Sequence, residues 1–72
     1  MLTKPLTFTL YRKKDISGIS GTGYVAVGVE FPSGNIIIEW IVGDHRSIEI
    51  HNSMDDLLAI HGHNGSTEVH YG

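Results

Sequence analysis

The run Leu6-Thr7-Phe8-Thr9-Leu10 alternates apolar and polar residues without a break, the pattern of a strand with one face covered. It constrains this chain more than any other feature, because a helix would scatter those apolar groups round its surface. Thr and Phe also favour extended backbone. A strand over residues 6–13 is therefore expected. A second follows over 24–31, with Val25, Val27, Val29 and Phe31 forming the core face. Tyr24, Ala26, Gly28 and Glu30 then share the opposite face, where Ala26 and Gly28 leave room for something to approach closely.

Phe31-Pro32-Ser33-Gly34-Asn35 has turn chemistry, with proline at the first central position and glycine for positive φ. It should close a hairpin onto a third strand over 35–42. There Ile36, Ile38, Trp40 and Val42 lie on one face, and Asn35, Ile37, Glu39 and Ile41 on the other. Apolar residues on both faces suit a strand covered on both sides. Gly43-Asp44-His45 is the next turn. A fourth strand over 46–51 is expected to point Ile48 and Ile50 inward. Ser53 is a good N-cap for a helix opened by Asp55 and Asp56, which complement the helix dipole. Leu57, Leu58 and Ile60 should pack on the sheet, and Gly62 should stop the helix after His61. A last strand over 66–71 puts Thr67, Val69 and Tyr71 on one face. The expected fold is mainly β: one domain over residues 1–72, a five-stranded, mostly antiparallel sheet or small barrel, with one short helix before the last strand.

Seventy-two residues bury a marginal core, since a chain of this size hides only about 60% of its unfolded surface. There is no cysteine, so disulfides and thiolate metal sites are excluded. Forty per cent of the residues are hydrophobic, which favours a homo-oligomer, a dimer or tetramer, as the missing staple. The formal charge of −3 argues against a nucleic-acid polymer as partner. Arg12-Lys13-Lys14 is the one basic run, readable as a solvated strand end or as part of an anion site. No apolar leader follows Met1, and no stretch approaches a membrane span. A cytoplasmic protein without membrane association is the expectation.

The loop Asp15-Ile16-Ser17-Gly18-Ile19-Ser20-Gly21-Thr22-Gly23 is the first candidate for chemistry. Five of its nine residues are Gly or Ser. Glycine permits close backbone approach, and successive N–H groups with Ser and Thr hydroxyls can cradle an anion. A flexible connection between two strands is the plainer reading. Five histidines are present: His45, His51, His61, His63 and His70. His61 and His63 have the H-x-H spacing that can chelate Zn²⁺, with Asp44, Glu49, Glu68 and His70 as third ligands that no pattern ranks. The same imidazoles could instead bond loop carbonyls, donate to a ligand oxygen or stack on a base. No nucleophile elbow or phosphate-binding loop with lysine occurs, so no enzymatic role is expected. Trp40 reads as core. Tyr11, Tyr24 and Tyr71 are placed where a base could stack, and Arg12 could grip a phosphate.

The segment with Arg12, Asp15, Ser17-Gly18, Ser20-Gly21-Thr22-Gly23, Val25-Ala26, Gly28-Val29 and Phe31, followed by Gly34, Trp40, Ser47, Ser53 and Ile60-His61-Gly62-His63 with Gly65 and Thr67, resembles a group of small phage proteins over residues 12–71. The group is similar to the phage anti-CBASS sponge proteins, which sequester cyclic dinucleotides such as 3′,3′-cGAMP and silence a bacterial immune signal. The resemblance implies a small oligomer that binds the nucleotide without cleaving it and needs no cofactor. It implies ligand contacts at Arg12, Ser20, Gly21, Thr22, His61, His63 and Thr67, and no resident metal. A protein-interaction module without a ligand, or a small histidine-based metalloprotein, is the alternative.

Overall fold

The computed structural model describes residues 3–13, 22–42, 47–62 and 65–72. The elements are β1 (Leu6–Arg12), β2 (Gly23–Glu30), β3 (Ile36–Trp40), β4 (Ile48–His51), α1 (Met54–His61) and β5 (Thr67–Tyr71). The sheet order is β4-β3-β2-β1-β5, and every pair is antiparallel. The sheet is open, with β4 and β5 as edges, so the barrel alternative does not hold. The first four strands form a meander. After α1 the chain returns to the far edge, beside β1. Gly34 takes a φ of 97° in the β2–β3 turn, where its N–H donates to the Phe31 carbonyl at 2.8 Å.

α1 starts where Ser53 caps it, its Oγ accepting from the Asp56 N–H at 3.1 Å. It ends at His61. A side chain at Gly62 would collide with the Leu58 carbonyl, and the Gly62 carbonyl accepts from the N–H groups of Gly65 and Thr67. The helix covers one face of the sheet. Phe8, Leu10, Val25, Ala26, Ile36, Ile38 and Leu57 are buried there, with Trp40, Val42, Met54 and Val69 packed against them.

Three facings differ from expectation. In β2, Ala26 is buried and Val27 is 40% exposed. A bulge lies opposite Leu10/Tyr11, so Leu10 faces Ala26 while Tyr11 faces Tyr24. The extra residue, Val25, is buried as well, and the alternation reverses beyond it. Gly28 sits on the covered face because the Phe8 ring lies against it, where a Cβ would collide.

In β4, Ile48 and Ile50 point outward, at 66% and 72% exposure. His51 pairs with Ile36 and Glu49 with Ile38. Directly paired residues share a face, so Glu49 and His51 turn toward the helix and the isoleucines turn away. One step of register exchanges every side chain between faces. In α1, Leu57 is buried but Ile60 is 61% exposed. The helix stands on Met54, Leu57 and His61, spaced i, i+3, i+7, and Ile60 falls outside that stripe.

Candidate functional site

On the covered face β1 and β3 each carry apolar residues and then one with a polar group. β1 runs Phe8, Leu10, Arg12, and β3 runs Ile36, Ile38, Trp40. β5 pairs Thr67 with Arg12. β4 supplies Glu49 and His51, and α1 brings His61 through its last turn. The result is a polar cluster running diagonally from the β5 edge to the β4 edge, beside the apolar core.

Glu49 is its centre. Its Oε2 accepts from the Trp40 indole N–H at 2.8 Å. Its Oε1 lies 3.1 Å from His51 Nε2 and 2.9 Å from His61 Nε2. Burial pushes the Glu49 carboxyl up, but the hydrogen bonds from His61, Trp40 and His51 outweigh it and hold it below the usual carboxylate value. The His61 ring meets Trp40 edge-on at 4.9 Å between centroids, and His51 at 5.6 Å and 90°.

Arg12 lies over the Trp40 ring, its Cζ 5.9 Å from the centroid. Only 4% of the residue is exposed, as is Thr67 beside it. Among the described residues Arg12 makes no ion pair. Arg12 Nε and Thr67 Oγ1 are buried without a hydrogen-bond partner among the described residues. A buried polar atom left unpaired costs about 1–3 kcal/mol, and more where the group is charged. Two such atoms on register partners, with the Trp40 indole against Arg12 and the His61 imidazole against that indole, form a socket suited to an anion. Across β1 from Thr67, Arg12 pairs with Gly23, over which the space is open.

Of the residues singled out from sequence, Arg12, His61 and Thr67 come together here. Thr22 is exposed at the start of β2. Ser20, Gly21 and His63 lie outside the described residues, as does most of the Gly/Ser loop. Tyr11 and Tyr24 belong to the opposite face, where they cluster with His70. Tyr11 stacks on that ring at 5.3 Å and 11°, and Tyr24 meets Tyr11 edge-on at 5.1 Å. Tyr71 donates its hydroxyl proton to Glu30 at 2.6 Å. The residue pattern turns Glu49 and His51 away from the helix and offers Glu49 only as one of four unranked third ligands; the true β4 register brings both to the site.

A family model for the Acb5 phage protein matches residues 5–72. The chain belongs to the Acb5 phage protein family. That membership supports a phage protein of the anti-CBASS type. No curated protein and no solved structure matches the chain. No helix among the described residues is long and apolar enough to cross a membrane.

Proposed function

We propose that this Acb5-family chain removes a cyclic dinucleotide, such as 3′,3′-cGAMP, from the cytoplasm of an infected host by taking it into the Arg12–Thr67–Trp40–His61 socket. The observation that supports this reading is the buried Arg12, whose Nε has no partner among the described residues, beside a Thr67 hydroxyl in the same condition. A phosphate oxygen answers both groups, and charge-assisted bonds from arginine to phosphate are among the stronger contacts a protein makes. Trp40 and His61 offer ring faces or edges to a base, worth about 1–3 kcal/mol per stacked base. Ser20, Gly21, Thr22 and His63 are further proposed contacts from the adjoining segments.

Sequestration needs affinity and stoichiometry alone, and no chemistry. Self-association fits it, because a composite pocket offers a dianion more contacts than one chain does. The exposed Val27, Ile37, Ile48 and Ile50 on the open face support that association.

A second reading, cleavage of the bound phosphodiester, is favoured by one observation. His51 and His61 converge on a single carboxylate beside the phosphate socket. Breaking a phosphodiester needs a group that takes a proton from the attacking hydroxyl and one that returns a proton to the departing oxygen.

One experiment covers both readings. The protein is incubated with 3′,3′-cGAMP at one equivalent and in hundredfold excess, then denatured, and the nucleotide is separated by chromatography. Intact nucleotide in both samples, with saturable binding, supports sequestration. Conversion of the excess to linear products supports cleavage. No binding and no conversion contradicts the proposal.

A further inference from the structure

Glu49, His51 and His61 also form a metal-ligand set. One donor atom of each lies within 4.8 Å of the other two. We propose that these three residues bind one Zn²⁺ per chain, leaving a fourth position open to solvent or ligand. The inference deepens the cleavage reading by naming a cofactor for the same pocket, and it rests on that reading only for the ion's role.

The geometry argues for it first. Two ligands on a tetrahedral zinc, each bound at about 2.0–2.1 Å, stand roughly 3.3 Å apart. Glu49 Oε1 stands 3.1 and 2.9 Å from the two imidazole nitrogens. A small outward relaxation of three side chains admits the ion. Both histidines present the same nitrogen, Nε2, to the same oxygen. As hydrogen bonds, these contacts need two N–H groups crowded on one carboxylate oxygen. As ligands, both nitrogens use their lone pairs on a shared cation.

The surroundings suit the ion as well. The Trp40 indole N–H holds Glu49 Oε2 at 2.8 Å, which leaves Oε1 for the metal, the outer-shell arrangement that orients a ligating carboxylate. Glu49 and His51 are two residues apart on one strand, so both side chains fall on one face. His61 is brought against them by the helix stripe that seats Leu57. The Glu49 side chain is 37% exposed, which keeps the fourth position accessible, as in zinc sites with three protein ligands. Two imidazoles and one carboxylate, with no thiolate in the chain, match the borderline character of Zn²⁺. Arg12, in the same polar cluster, would engage the anion that completes the coordination.

The test uses the full chain without an affinity tag, dialysed against a chelator and titrated with Zn²⁺ by calorimetry. Expected are one ion per chain and a melting temperature raised by at least ~5 °C at a hundredfold excess over Kd. His61→Asn should weaken Zn²⁺ binding at least tenfold, and His70→Asn, remote from the cluster, should leave it unchanged. His51 is buried and its loss endangers folding, so His61→Asn and Glu49→Gln carry the test, each checked by circular dichroism. No stoichiometric zinc, or binding unaffected by both variants, overturns the inference. Cyclic dinucleotide binding is measured separately on chelator-treated protein. Nucleotide cleavage by metal-free protein would overturn the ion's role in cleavage while leaving the cleavage reading intact, with the imidazoles acting as proton carriers; zinc binding itself stands or falls on the titration.

Discussion

On the helix-covered face, Phe8, Leu10, Ile36, Ile38 and Leu57 pack with at most 1% exposure. Beside them Arg12 and Thr67 are nearly as deep, at 4% each, yet two of their polar atoms lack partners among the described residues. The apolar region is what a small domain does to remain folded. In the polar region two buried polar atoms have no partner among the described residues, and apolar groups of the same shape would cost less there. That contrast supports the proposal that the polar region is a binding site, with a ligand as the partner of these atoms.

The contrast predicts opposite signs for substitutions in the two regions. Phe8→Ala should cost about 3–5 kcal/mol, most of the stability expected of 72 residues, with chemical denaturation as the readout. Gly28→Ala should cost about 1–3 kcal/mol by forcing the Phe8 ring to move. Arg12→Leu should leave the melting temperature unchanged or raise it by a few degrees, which thermal unfolding checks. A large fall on Arg12→Leu would erase the contrast and make Arg12 a structural residue.

The open face sharpens the picture from outside. Ile48→Thr with Ile50→Thr should change the stability of the isolated chain by no more than about 0.5 kcal/mol per site. In sedimentation the same pair should shift the protein toward lighter species. A wild-type protein that sediments as a monomer at all concentrations would remove self-association from the account.

The smallest effect lies at the margin of the sheet. The hydrogen bond from Tyr71 to Glu30, helped by partial burial and by the nearby carboxylate charge, pushes the Tyr71 phenol up to about 12. The raised value means that this contact contributes stability fully below the unfolded phenol's value near 10. The contribution disappears as pH rises through about 12. Ultraviolet titration should show one late-ionising tyrosine, absent in Tyr71→Phe.

Much of this fold is legible in the residues themselves. The alternation of Leu6 to Leu10 gives β1, the Pro32–Gly34 turn gives the hairpin, and Ser53 gives the helix start. These signals are local and depend on one or a few neighbours. The facings of β2 and β4 are not local. The bulge at Val25 reverses a period that reads unbroken in sequence. Ile48 and Ile50 are as apolar as any core pair, and only pairing with Ile36 and Ile38 turns Glu49 and His51 inward. Half of the candidate site was legible for the same reason. Arg12, His61 and Thr67 stand in recognisable motifs, whereas Glu49 and His51 enter through strand register.

The most direct test of the binding site is calorimetric titration of 3′,3′-cGAMP into wild-type protein and into folded Arg12→Leu. Truncating one partner of a buried, charge-assisted contact typically costs about 2–5 kcal/mol. Wild-type protein should therefore bind the nucleotide saturably, and the variant at least about thirtyfold more weakly with its melting temperature intact. Equal affinity in both proteins would contradict the account.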